Sequence, residues 1–597
     1  MQLRNQFSVE ELPILGQYNK QRFKQFSPED CANWYLVPGE ETKRKYAMYP
    51  AMGRKHVNYL GINQLLFSGE SRGLFRSVKY WYNVVGNAIY RIDANFTIIN
   101  ISGSQVTTAD GSVFFSYLTV GMITFACFVD GEHIYVYRED TGQFYTVTDP
   151  NAPSPPKYIA TFGNRITVSQ DESSTFVLSV VNLGGVNFDP TTCFTISMAQ
   201  VFAQENGIIR QMAVLNNTLY IFTDFTTGVW ANIPAIFSGT GVSFPWKKNT
   251  TYDWNFGLAD DLSLDVNFGQ MTFYARNSNG LRQIMTTTGD IPKKISSKAI
   301  DVLIQRYANA SPYSSPFISG DTDGFMYQYE DTIFYRFSAG NYTGTGILDQ
   351  ELTANSLEFN FDAGTWSRCI ELNGERNRIQ RHVFFNNRHF VSIQGEGTIY
   401  EMSGSFYTND VINSEEQDPQ APDAYTTYPM RYERITPIIS QLDYSEFETE
   451  YVEIDFVFGD SNISYSDNPF ANTQFIIDEQ AASDGSPIYV IDEQAGADTQ
   501  PVFMITEEGD QPSLSETTYN DLFKPTVELY WSDDGGISFH SASQRVFSDM
   551  GVYQWRMRWY QLGCSRNRVY KLIVVSPVPI VILGAVMNVR RVSGGSN

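Results

Sequence analysis

The chain has 597 residues, 42% of them hydrophobic and 15% aromatic, with a formal net charge of −24. That length is too great for one core and predicts two to four domains, and the apolar content excludes bulk disorder. The charge is lopsided: residues 435–523 hold nineteen acidic side chains and no Lys, Arg or His, which leaves −5 for all the other segments. Such a surface either avoids something negative or collects cations.

Tyr, Phe and Gly are abundant (36, 42 and 44), and long runs rich in Ala, Leu, Glu and Lys are missing, so the reading is all-β. Cys31, Cys127, Cys193, Cys369 and Cys564 are scattered without a C-x-x-C pair. That pattern argues against a disulfide framework or zinc site and for a reducing birthplace such as a cytoplasm. The opening Met1 to Gln6 lacks the apolar core of a signal peptide.

Hairpin signals then follow one another. Gly86-Asn87 precedes Ala88 to Asp93, Asp130-Gly131 precedes His133 to Tyr137, and Asp140-Thr141-Gly142 precedes Phe144 to Val147. Gly163-Asn164, Asn216-Asn217 and Asn386-Asn387 introduce further alternating stretches. Each couples a turn dipeptide to a period-2 apolar run. Their recurrence favours radial repetition, as in a β-propeller, over a stack of β-sandwiches. One helix is predicted after Ser296-Ser297, because Ile300, Leu303, Ile304 and Tyr307 share a face.

Beyond Val452 to Phe458, which alternates strictly, a 14-residue repeat begins. Its units are Phe475-Ile476-Ile477-Asp478-Glu479-Gln480, Tyr489-Val490-Ile491-Asp492-Glu493-Gln494 and Phe503-Met504-Ile505-Thr506-Glu507-Glu508. Residues 460–525 read as an acidic elaboration grown from one hairpin of a C-terminal β domain. Clustered carboxylates bind Ca²⁺ in some repeats, but neither an EF-hand loop nor a G-G-x-G-x-D pattern occurs here, and a solvated, repelling face is the favoured reading.

Ser532-Asp533-Asp534-Gly535-Gly536-Ile537-Ser538-Phe539 matches the Asp-box pattern S-x-D-x-G-x-[ST]-[WF]. Its Asp is expected to cap turn amides and its aromatic residue to anchor a hairpin. Arg556 and Arg558 alternate with Trp555, Met557 and Trp559, and Arg566, Arg568 and Lys571 follow a turn at Gly563-Cys564-Ser565. This reads as a hairpin with one cationic face, suited to nucleic acid or, preferred in so acidic a chain, to a neighbouring subunit. The apolar run 572–589 contains Pro577 and Pro579 and predicts two buried strands rather than a membrane helix.

No catalytic constellation, cofactor fingerprint or metal-ligand spacing is present. The five histidines (His56, His133, His382, His389, His540) form no H-E-x-x-H, and no nucleophile elbow or P-loop occurs. The rival readings are a sialidase-type carbohydrate-active propeller, since Asp boxes occur there, and a Ca²⁺-dependent adhesive module.

Four segments resemble the tail hub proteins of short-tailed bacteriophages, also called packaged-DNA stabilisation proteins, and the related tail nozzles. They are Asn33 to Pro38 with Tyr49 to Gly53, Gly207 to Phe222, Phe256 to Tyr307, and Leu529 to Phe539 with Arg556 to Val589. Asp460 to Lys524 departs from the family pattern by its length. The resemblance implies a central propeller-like domain over 71–405 and a β-sandwich platform built from 1–70, 406–459 and 526–597, with 460–525 as an acidic β-hairpin insertion.

It also implies a structural, non-enzymatic virion protein, made in the host cytoplasm, that forms a ring, usually of six copies, beneath the portal and its adaptor. Such rings retain packaged double-stranded DNA, conduct it without sequence specificity and anchor tail fibres or tailspikes and a tip or needle; this chain is expected not to insert in a membrane. Duplex DNA carries about one negative charge per 1.7 Å. Asp478, Glu479, Asp492, Glu493, Glu507 and Glu508 are therefore expected to face the channel or its mouth, and Arg556, Arg558, Arg566, Arg568 and Lys571 a subunit interface. An outward arm docking a fibre is the other placement of the insertion.

Overall fold

The computed structural model describes residues 7–592, apart from 22, 25, 40–44, 58–66, 68, 181–187, 202–206, 233–244, 249–252, 311–321, 340–355, 413–424, 459–488, 491–501, 504–524 and 547–553. Among the described residues the chain is all-β but for short 3₁₀ turns and one helix, Lys298–Ala310. That helix starts where the sequence places it: Ser297 Oγ accepts the Ile300 N–H at 3.3 Å, and Ile300 and Ile304 are buried against Tyr274, Tyr335 and Phe337. It is too short and too polar to cross a membrane.

Five antiparallel sheets succeed one another over 71–100, 114–146, 156–201, 209–248 and 257–294, the first four with four strands and the last with five. The turn dipeptides explain this regularity. Both central residues have positive φ at Gly163-Asn164 (59° and 57°), Asn216-Asn217 (49° and 56°) and Asn386-Asn387 (50° and 60°). That is the geometry of two-residue hairpin loops whose twist matches the strands, and Asn and Gly adopt it at least cost.

The first strands of the second, third and fourth sheets lie side by side. Phe114–Val120 meets Pro156–Phe162, which meets Ile209–Leu215, and the Asp265–Asn267 strand of the fifth sheet meets Thr322–Tyr329. The chain thus forms a five-bladed β-propeller arrangement beside a large mixed sheet of fourteen strands. Thr322–Tyr329 and Ile379–Phe385, the two ends of that sheet's main path, pack against each other, so it is nearly closed, and Ile379–Phe385 also packs on Ser71–Arg76 of the first blade. Blade cores are aromatic: Trp81 stacks on Phe390 at 5.1 Å, joining the first blade to the large sheet.

The remaining strands make two facing layers. One is a seven-stranded sheet of path Trp34–Pro38, Tyr46–Pro50, Ile580–Arg591, Phe447–Phe458, Gln554–Tyr560, with Ser8–Glu11 and Cys564–Ser565 alongside. The other is the part of the large sheet formed by Tyr425–Ile435, Val569–Ser576, Thr526–Ser532 and His540–Val546. Between them sits one core in which Trp34, Met48, Ile454, Phe456, Trp559 and Ile582 face Tyr432, Leu529, Leu572 and Val574. Each such side chain, fully withdrawn from water, contributes about 1.5–3 kcal/mol.

The apolar run near the C-terminus forms Val569–Ser576 and Ile580–Arg591, one strand in each layer, joined across Pro577 and Pro579. Within the acidic insertion the described strands are Tyr489–Val490 and Val502–Phe503. They pair antiparallel with Tyr489 opposite Phe503, so equivalent positions of two repeat units meet.

Candidate functional site

The acidic insertion leaves the two-layered domain at Phe458, the end of Phe447–Phe458, and returns at Thr526, the start of Thr526–Ser532. Each of these strands has an outer neighbour. Gln554–Tyr560 flanks the first and His540–Val546 flanks the second. The six acidic residues expected to face a channel, Asp478, Glu479, Asp492, Glu493, Glu507 and Glu508, lie outside the described residues.

The basic residues are described, and they do not form one hairpin. Gln554–Tyr560 belongs to the seven-stranded sheet and Val569–Ser576 to the facing layer, so a local alternation pattern misread two strands that cross the sandwich as partners. On the first, Arg556 and Arg558 stand opposite Asp455 and Glu453, and both approach the Glu453 carboxylate, Arg556 at 3.9 Å. Their side chains stay 63% and 49% exposed. Arg566 is exposed, and Lys571 is half-buried with its ammonium 5.8 Å from the Phe539 ring centre. Arg568 is fully buried: it donates to the Leu562 carbonyl at 2.6 Å and lies 2.7 Å from Asp533. It therefore serves the chain's own interior rather than a face offered to a neighbour.

Arg568 thereby joins the Asp box. Asp534 Oδ1 accepts the N–H groups of Ile537 and Ser538 at 2.9 and 3.0 Å and the Ser532 hydroxyl at 2.6 Å. Gly535 and Gly536 supply positive φ, 77° and 87°. Although partial burial opposes it, hydrogen bonds from Ser532, Ser538 and Ile537 hold the Asp534 carboxyl well below the usual range. The box caps the hairpin between Thr526–Ser532 and His540–Val546, as its residues suggest.

A second polar cluster escaped the sequence reading. Asp260 and Asp261 are buried where the fifth blade meets the large sheet. Asp260 accepts the Thr322 N–H at 3.2 Å, Asp261 accepts the Tyr158 hydroxyl at 3.1 Å, and Asp265 accepts the Met326 N–H at 2.6 Å. Asp323 pairs with Arg381 at 2.7 Å. Burial, aided by the neighbouring carboxylates Asp261 and Asp323, pushes Asp260 well above the carboxylate range, and burial lifts Asp265 and Asp323 to about 6. An Asp doublet inside the apolar run 256–264 was the available signal.

His382 and His389 also come together, 3.0 Å apart across the Asn386-Asn387 hairpin. Burial drives His382 well below its ordinary value and His389 to about 4, so both stay neutral near pH 7. Among the described residues no group of three or more His, Cys, Asp or Glu side chains is placed to hold a metal ion.

No family model matches the chain, and no curated protein matches it. Solved structures do align. The Neurospora crassa Pan2 WD40 domain is 8% identical, covering 61% of this chain and 97% of that one at a TM-score of 0.32. A catalytically inactive virginiamycin B lyase from Staphylococcus aureus, solved with quinupristin, is 10% identical, covering 62% and 99% at a TM-score of 0.33. At these scores the likeness carries no argument about activity or partners, and the propeller description stands on the strand pairing itself.

Proposed function

We propose that this protein is a structural subunit of a short phage tail, assembling as a ring that extends the DNA channel below a portal and its adaptor. The observation that carries the reading is the platform: strands from both chain ends close one sandwich core, with the propeller between them in sequence. This is the organisation implied by the resemblance of residues 33–53, 207–222, 256–307 and 529–589 to tail hub and nozzle proteins.

Charge supports it from a second direction. Packaged DNA has to be held without being gripped, and a wall of carboxylates lets a polyanion slide where Lys and Arg would bind it. At physiological salt the repulsion reaches about 8 Å, so it acts on DNA near the wall and leaves the rest of the assembly unaffected. The ring holds the genome in the particle, conducts it on infection, and offers its outer surface to fibres or spikes and its end to a tip or needle protein. The acidic repeat units 478–479, 492–493 and 507–508 line the channel or its mouth.

Electron microscopy of the purified full-length chain, and of particles carrying it, tests the proposal. The expected result is a closed ring with a central opening, found in particles at the tail vertex. A chain that stays monomeric at high concentration and is absent from particles overturns it.

A further inference from the structure

The two ends of the seven-stranded sheet differ in a way that bears on assembly. At one end, Trp34–Pro38 finishes in a proline, and the Asn360 side-chain amide donates to the Leu36 carbonyl at 2.9 Å. That edge is closed to another strand. At the other end, Gln554–Tyr560 contains neither Pro nor Gly and pairs with Phe447–Phe458 at seven consecutive positions without a register shift. Among the described residues it pairs with that strand alone, so its outer backbone edge is a regular template.

Its side chains alternate: Met557 and Trp559 enter the core, while Arg556, Arg558 and Tyr560 point outward. His540–Val546, the edge of the facing layer, adds the exposed Arg545. These two strands carry three arginines and no carboxylate, in a chain of net charge −24.

The arginines select the partner. Antiparallel pairing of this strand with its own copy, centred on Met557, would set each Arg556 against an Arg558 of the second copy, and like charges directly opposite repel. A strand flanked by carboxylates meets no such barrier. The chain itself contains one: Tyr489–Val490 and Val502–Phe503 form a two-stranded ladder with no third strand among the described residues, followed in each repeat unit by an acidic pair. A ladder of two strands is marginal in water and gains by joining a larger sheet.

We infer that the outer edge of Gln554–Tyr560 receives the acidic insertion of a neighbouring copy by strand addition, with Arg545, Arg556 and Arg558 meeting its carboxylates. The inference rests on the ring reading and names how adjacent copies are joined. Three arginines meet only a few of the thirteen carboxylates of residues 460–525, so a docked insertion remains strongly anionic and keeps its place along the DNA path.

The test uses the full chain, with assembly mass followed by light scattering and amide hydrogen exchange read at residues 554–560 and 489–503. The second sample is the double variant Arg556→Glu/Arg558→Glu. The expected result is an assembled wild type with both segments protected. The variant is monomeric, exchange in both segments is about tenfold or more faster, and the melting temperature falls, because the introduced carboxylates stand opposite Asp455 and Glu453. Arg556→Gln/Arg558→Gln, which removes the cations without that repulsion, shows the same loss of assembly and protection with a smaller change in melting temperature.

Equal protection in wild type and variant overturns the inference, as does an assembled wild type whose edge amides exchange rapidly, in which case the arginines only guard the edge and the ring reading still stands. Zero-length carboxylate–amine coupling of a mixture of heavy- and normal-isotope Arg556→Lys/Arg558→Lys chains separates the remaining cases. Mixed-isotope links from the introduced amines to residues 474–510 support docking between copies. Links confined to one isotope place the docking within a single chain and overturn the inference.

Discussion

The Arg434 guanidinium meets the Glu29 carboxylate at 2.8 Å while donating to the carbonyls of Ile14, Gln17 and Asp30 at 2.6, 3.2 and 2.9 Å. The side chain is fully buried. One residue of the Tyr425–Ile435 strand therefore ties residues 14–30 to the platform core. The arrangement leaves no room: a methyl group on Gly16 would come within 2.0 Å of the guanidinium.

Replacing this cation exposes how much the platform depends on it. In Arg434→Met three carbonyls lose their donor and Glu29 its partner, which costs about 3–5 kcal/mol. Urea unfolding followed by tryptophan fluorescence should show the loss. Limited proteolysis should cut residues 7–30 before the propeller, because the ties that break belong to that segment.

The Asp box contains two adjacent aspartates with unequal duties. Asp534→Ala removes acceptors from a half-exposed turn and costs about 1–3 kcal/mol. Asp533→Ala leaves Arg568 charged in the interior without its carboxylate, although Asp533 is itself 45% exposed, which keeps the loss at the low end of the buried-pair range, about 3 kcal/mol. Asp533, at a position the pattern leaves unspecified, is thus predicted to match or exceed Asp534, which the pattern requires, in a thermal-melt comparison of the two variants.

Hairpin loops with positive φ at both central residues should respond to side-chain branching. Asn387 has φ +60°. Asn387→Val forces a β-branched residue into the left-handed region at a cost of about 1–2 kcal/mol, whereas Asn387→Gly is neutral or slightly stabilising. Matching melting temperatures for the two substitutions would contradict the turn assignment.

These turns were legible because their cause is local: a dipeptide that tolerates positive φ between two period-2 runs needs no knowledge of the remaining chain. The Lys298–Ala310 helix and the Asp534 cap were legible for the same reason. What could not be read is which strands exchange partners at long range. Asp30–Ala32 is three residues long, yet it bridges Thr365–Arg368 on one side and Tyr425–Ile435 on the other. Nothing within three residues encodes either neighbour. The same limit joined Arg556 and Arg568 on one supposed hairpin, since alternation reveals a face but not the sheet to which it belongs. The His382–His389 contact was within reach, because the Asn386-Asn387 turn fixes the register that brings them together.

The buried carboxylates at the blade seam predict an unusual pH response. Burial lifts Asp323 and Asp265 to about 6, above the value near 3.9 of an unfolded aspartate. A group whose folded pKa is raised binds its proton more tightly in the folded state. Its contribution is therefore complete below the unfolded pKa and is lost as pH rises through the folded one. Stability of the seam should fall between about pH 4 and pH 7, the reverse of the usual acid-denaturation trend, with Asp265 and Asp323 contributing alike. Asp265 has the simpler surroundings, a hydrogen bond from the Met326 amide and no ion pair among the described residues, so it gives the cleaner test. Asp265→Asn carries no titrating proton, and its melting temperature should change less steeply than wild type across pH 5 to 7. Parallel curves for the two proteins would show that Asp265 titrates at its ordinary value.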